Sequence, residues 1–304
     1  MKNNLIKIFL AILSISLISA CSGCCLENSD TKDTLDCKTT SSCDDTMHND
    51  TQTNFEEDLD LINQWREDYN LGTCKTLSGN ISIILFYVDD FESFWTDKEI
   101  NDFTKNEIEP GLAFLSQEAK KYGVELNLTV EKSYSAIYYD DEVITSVKNT
   151  GLASTDVLWQ AALQIDYTSS SKMINAFRNK YKTEEIVCFT IFNKSGTSYA
   201  LNPKKDAGIK IDEHCIVFAR DLNSTQNGNA GSQAAVIAHE MLHLYGAEDF
   251  YASLSRKSLA RIYYPDDIML SAAYDIDTNT VESATAFYIG WTNTVPYVLK
   301  QKGW

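Results

Sequence analysis

The sequence predicts an α/β (α+β) layer structure built on one sheet with helices packed on it. Three observations lead there. Apolar residues make up 44% and aromatics 11% of the 304 residues, enough for a sizeable core. Segments patterned as strands alternate with segments of helical period in the order strand, helix, strand, helix, three strands, helix. No internal repeat occurs, which argues against a solenoid.

The first 54 residues stand apart from that pattern. Lys2 and Lys7 lead an apolar stretch from Ile8 to Ile18, and small residues follow at Ser19 and Ala20. This is the form of an export signal over residues 1–20, too short to span a bilayer comfortably. Leu17-Ile18-Ser19-Ala20-Cys21 resembles the lipobox of bacterial lipoproteins. The resemblance implies a lipid on the Cys21 sulfur and an extracytoplasmic chain anchored to the membrane. Residues 21–54 are rich in Ser, Thr, Asp and Asn without hydrophobic period, and read as a disordered acidic tether. Cys24, Cys25, Cys37 and Cys43 lie in it, as disulfides or free thiols of an oxidising compartment.

The folded domain is expected over residues 55–304. Phe55, Leu59, Ile62, Trp65 and Tyr69 trace one helical face. Asn80 to Val88 is a β-branched and aromatic run, hence a buried strand. Ile100 to Tyr122 follows as a long helix, broken or kinked at Pro110, whose ring removes a helical hydrogen bond. Val124 to Val130 alternates as a strand, and Thr155 to Tyr181 is mainly helical with a break at Ser169-Ser170-Ser171. Strands are expected at Glu185–Phe192, Thr197–Leu201 and Cys215–Ala219, then a polar loop at Asn223–Ser232 and a helix at Gln233–Tyr245. Cys188 and Cys215 read as buried small residues, or as one disulfide if their strands are neighbours.

Charge excludes one class of partner. Lys+Arg is 26 against Asp+Glu 43, a net charge of −17, and nucleic-acid binding needs a basic surface. The chemistry is concentrated at the end of the helix Gln233–Tyr245 and just past it, in His239-Glu240-Met241-Leu242-His243-Leu244-Tyr245-Gly246-Ala247-Glu248-Asp249. Two of the chain's four histidines stand four residues apart, so both imidazoles share one helical face and reach a single zinc ion. Glu240 adjoins the first, placed to take a proton from a metal-activated water. Catalytic zinc sites usually have a third protein ligand. Gly246 allows the chain to reverse past the helix end, so that Asp249 returns as an oxygen donor. Glu282 on a later helix is the competing third ligand, and Glu248 is expected in solvent.

These residues resemble the metzincin clan of zinc peptidases, whose motif is H-E-x-x-H-x-x-G-x-x-H, with Asp at the last place in snapalysin-like and immune-inhibitor-A-like families. The resemblance implies a metzincin-like fold with an N-terminal subdomain (55–246) and a small C-terminal subdomain (247–304) carrying one helix near Val281–Trp291. It implies a Met-turn at Pro265-Asp266-Asp267-Ile268-Met269, with Met269 structural beneath the metal. It further implies zinc held by His239, His243 and Asp249, Glu240 as general base, and a peptide or protein substrate bound along an edge strand at Thr197–Leu201. Some metzincins carry a tyrosine two residues after the Met-turn methionine, where this chain has Ser271. Tyr251, Tyr263, Tyr264 and Tyr274 are therefore all open as oxyanion donors. A non-catalytic surface-binding lipoprotein with the same fold is the rival reading. Asp275-x-Asp277-x-Asn279 lacks the Gly and Glu of a calcium loop, and His48 and His214 lack ligand-spaced partners.

Overall fold

The computed structural model describes Asp60 and residues 74–139, 154–183, 185–202, 213–221, 225–226, 229–230, 233–271 and 275–302. The expected signal and tether with Cys21, Cys24, Cys25, Cys37, Cys43 and His48, the bulk of the expected helix at Phe55–Tyr69, and Tyr274 lie outside the described residues.

A five-stranded mixed sheet organises the rest, giving the α+β class expected from the element order. Its strands are β1 (Gly79–Asp89), β2 (Leu126–Tyr138), β3 (Glu185–Gly196), β4 (Tyr199–Leu201) and β5 (His214–Asp221). They lie in the order β2-β1-β3-β5-β4, all parallel except β4, which runs antiparallel to β5 at the edge. Between β1 and β2 lie α1 (Asp97–Phe103), a π-helical turn (Thr104–Ile108) and α2 (Glu109–Lys121); α3 (Ser154–Gln164) and α4 (Ser170–Tyr181) precede β3. After β5 come a short hairpin of β6 (Thr225–Gln226) and β7 (Asn229–Ala230), then α5 (Gln233–Leu244), α6 (Leu254–Tyr263), α7 (Ser283–Tyr288) and α8 (Tyr297–Lys302).

Burial on both faces explains why β1 reads as an unbroken apolar run. Ile81, Ile83, Leu85 and Tyr87 pack on one side with α2, α5 and the C-terminal segment, whereas Ile84, Phe86 and Val88 pack on the other with α3 and α4. Helices on both faces leave no solvent side for polar alternation. The residues after α5 join the first of these cores, through Phe250, Ile268, Met269, Val281 and Trp291. Trp291 Nε1 donates to the Leu77 carbonyl at 2.6 Å, fastening the C-terminal segment beside the start of β1.

Three details depart from the sequence expectation. The helix is not broken at Pro110. It runs on through the π-helical turn ending two residues earlier, and Pro110 sits in the first turn of α2. The wider turn accommodates a residue that has no N–H and crowds the carbonyl four positions back. The loop Asn223–Ser232 contains the hairpin β6–β7, in which Thr225 pairs with Ala230 and Gln226 with Asn229 in antiparallel register. The helix near Val281–Trp291 is confined to Ser283–Tyr288, because Glu282 is its extended N-cap residue, and it is one of three α-helices among the described residues of 247–304, where a single helix is expected. Cys188 and Cys215 are buried, as small apolar residues are expected to be, and form no disulfide with each other. Their strands are neighbours, but Cys215 is in register with Phe189, and the one-residue offset turns Cys188 to the opposite face.

Candidate metal centre

The centre is built on α5, a helix apolar on nearly every side. All its residues except His243 are buried, against the sheet on one side and α2 on the other. Gly111 of α2 makes the close approach possible, since a Cβ there would lie 2.6 Å from the Ala234 carbonyl oxygen. At the N-terminus of α5 the Glu107 carboxylate accepts from the Ala234 N–H at 3.0 Å, an anion at the positive end of the helix dipole.

The other end of α5 aims the ligands. Ala247 N–H donates to the Leu242 carbonyl and Gly246 N–H to the His243 carbonyl, at 3.2 and 3.1 Å, with Gly246 at φ 97°. This is a Schellman stop, and it requires the left-handed residue that glycine supplies. The turn also presents the Ala247 carbonyl to His243 Nδ1 at 2.7 Å. His239 Nδ1 finds its own acceptor in the Ile268 carbonyl at 3.0 Å. Each ring thus donates from Nδ1, which fixes the tautomer and leaves the Nε2 lone pair facing inward. Gly246→Ala is expected to lower stability by about 1–2 kcal/mol, from the strain of positive φ, and to weaken metal binding; thermal unfolding and zinc titration check both.

Past the turn, Asp249 returns to the helix. His239 Nε2, His243 Nε2 and Asp249 Oδ1 form a triangle whose three edges are each 3.2 Å. Among the described residues it is the one group of three or more His, Cys, Asp or Glu side chains arranged to hold a metal ion. Zinc–nitrogen bonds of about 2.0–2.1 Å in a tetrahedron put neighbouring donor atoms roughly 3.3–3.4 Å apart, so this donor set fits one tetrahedral face. Three lone-pair donors converging this closely call for a cation between them. Protonation can supply one. Burial opposes charge on His239, but the Asp249 hydrogen bond and the charges of Glu240 and Asp249 outweigh it and raise the imidazole to about 9. Burial likewise works against the Asp249 carboxylate, yet its bonds to His239 and His243 hold it well below the usual carboxylate range.

Glu240 is buried at 6% exposure and lines a groove of about 490 Å³ together with His243, Asp249, Tyr251 and the edge segment Thr197–Asn202. Asn202 joins wall to helix, its Nδ2 donating to the His243 carbonyl at 2.8 Å. Of the described tyrosine candidates, only Tyr251 lines the groove, its ring parallel to His239 within 9° at 6.4 Å between centroids. Tyr264 is buried against Phe250, and Tyr263 packs beside Tyr264 and Tyr297. Glu282 is not in the triad; its carboxylate accepts from Thr280 Oγ1 at 3.3 Å. Glu248, expected in solvent, instead pairs with Arg256 at 2.5 Å. His214 is fully buried in β5, and Asp275 caps the turn Ile276–Thr278.

Met269 is fully buried in the core that holds α5. The sequence reading missed its neighbour Asp267, also fully buried, which accepts three hydrogen bonds at 2.8 Å, from Met269 N, Thr285 Oγ1 and Glu282 N. Burial pushes its carboxyl up to about 7 in spite of them. An aspartate next to another aspartate in a polar turn carries no mark of burial in sequence. Asn202 was equally unmarked. No protein-family model matches the chain, and no curated protein matches it in sequence.

Proposed function

We propose that the chain is a zinc-dependent endopeptidase of the metzincin clan, exported and lipid-anchored through Cys21. The observation that carries this reading is the 3.2 Å His239–His243–Asp249 triangle with Glu240 beside it in an open groove bounded by a sheet edge. Bound zinc would supply a Lewis acid that acidifies water and polarises a peptide carbonyl.

The chain's own residues account for the remaining requirements. Glu240 accepts a proton from the attacking water and returns it to the leaving amine. The antiparallel edge strand β4 offers main-chain hydrogen bonds to an extended peptide, which favours unfolded or loop segments over a particular side-chain sequence. The Tyr251 hydroxyl donates to the oxygen that gains charge as the carbonyl is attacked. Tyr251→Phe is accordingly expected to lower kcat by about 10- to 100-fold with KM little changed, as steady-state kinetics on a quenched peptide would read.

His239 would hold a zinc ion only through a deprotonated Nε2, so its proton competes with the metal and gives the site a pH signature. That proton binds the folded apo chain more tightly than an unfolded one, because about 9 exceeds the ordinary 6.5. Its stabilisation is complete below pH 6.5 and is lost as pH rises through 9. Zinc affinity runs the other way, climbing about tenfold per pH unit across that window as the competing proton leaves. Competition with a chromophoric chelator at several pH values measures it.

The deciding experiment is incubation of the purified chain with casein and a peptide library, with zinc and with chelator. Cleavage that needs the metal is the expected result. Stoichiometric zinc binding with no cleavage of any substrate would leave the surface-binding lipoprotein as the better account.

A further inference from the structure

The turn that carries Met269 holds the site from behind through its two central carbonyls. Leu270 N–H donates to the Asp267 carbonyl at 2.9 Å, closing a β-turn with Ile268 and Met269 at its centre. The Ile268 carbonyl is the acceptor for His239 Nδ1, at 3.0 Å. The Met269 carbonyl accepts from Phe250 N–H at 2.9 Å, directly after the third ligand Asp249. One rigid turn therefore sets both a histidine ring and the return loop.

What fixes the turn is the Asp267 side chain. Its Oδ1 accepts from Met269 N–H inside the turn and from Thr285 Oγ1 of α7, and its Oδ2 accepts from the Glu282 N–H ahead of α7. The backbone adds Ile268 N–H to the Thr280 carbonyl at 2.9 Å and Thr280 N–H to the Asp266 carbonyl at 2.8 Å. Three donors converge on a fully buried group, and no cation among the described residues pairs with it. Only an acceptor-only side chain satisfies all three; an asparagine would turn its NH₂ toward one of them.

We propose that Asp267 is a positioning residue for the metal ligands, locking the Ile268 and Met269 carbonyls to α7 so that His239 and the Asp249 loop are held in register. Asp267 touches neither zinc nor substrate, and the inference rests on the metal-site reading above. Losses in such supporting shells typically cost 10- to 100-fold in metal affinity.

The test compares Asp267→Asn with Glu118→Gln in the purified chain. Glu118 is a second buried carboxylate at this end of the molecule, accepting from the Val281 N–H at 3.1 Å without touching the turn. Zinc affinity is read by chelator competition at a temperature where circular dichroism finds both variants folded. The expected result is a 10- to 100-fold loss in Asp267→Asn and an unchanged affinity in Glu118→Gln. The His239 Nδ1–H proton resonance of the metal-free chain should also exchange faster in Asp267→Asn alone. If Asp267→Asn does not fold, Thr285→Val removes one donor to the same carboxylate and is expected to weaken zinc several-fold. Wild-type affinity in the turn variant, or equal losses in both variants, overturns the proposal while leaving the metal site standing. A wild-type chain that binds no zinc removes the metal reading itself, and this inference with it.

Discussion

Replacing Glu240 by Gln is expected to lower kcat by about a thousandfold while zinc still binds at wild-type affinity. Gln keeps the size and hydrogen-bonding reach of the side chain but cannot accept a full proton at neutral pH. Glu240 is not among the three groups whose donor atoms form the triangle, so metal affinity has no reason to move. KM should change little, because main-chain pairing along β4 and contacts in the groove remain. The measurement is peptide cleavage alongside metal analysis of the same preparation. Equal activity in the two proteins would remove Glu240 as the base and, with it, the mechanistic reading of the groove.

The second large effect concerns Asp249. Its replacement by Ala removes one vertex of the triangle and the group that holds the proton on His239, so two consequences should appear together. Zinc affinity falls by more than about 100-fold, beyond what supporting-shell losses cause. In the metal-free protein the His239 imidazole drops from about 9, because burial then acts on it with less opposition from nearby charge. Histidine titration by NMR reads the second effect independently of zinc. Full affinity in the variant would exclude Asp249 as a ligand.

Much of this centre was legible before any coordinates, and the reason is local. His239, Glu240, His243, Gly246 and Asp249 all lie within eleven consecutive residues, and helical spacing plus one left-handed glycine largely determine how they meet. The groups that support them are distant or featureless in sequence. The Ile268 and Ala247 acceptors are main-chain carbonyls, which no residue type announces, and the contact of Asn202 with the end of α5 spans 41 residues. Tyr251 stood as one of four equal candidates until the return loop brought it to the groove. The same contrast holds in the fold. β1 was readable because burial on both faces writes an uninterrupted apolar run, whereas the Cys188–Cys215 question turned on a one-residue register that composition does not encode. The π-helical turn before Pro110 shows a predicted break resolved by widening the helix.

The order in which the ribosome delivers these parts has a consequence of its own. The three donors of the triangle are all made by residue 249, but the acceptor of His239 arrives with Ile268 and the anchors of its turn only with Glu282 and Thr285. A nascent chain would thus carry its histidine pair without the buttress that orients it. Competence for metal capture is expected only once the segment through Trp291 has been synthesised and has docked against Leu77.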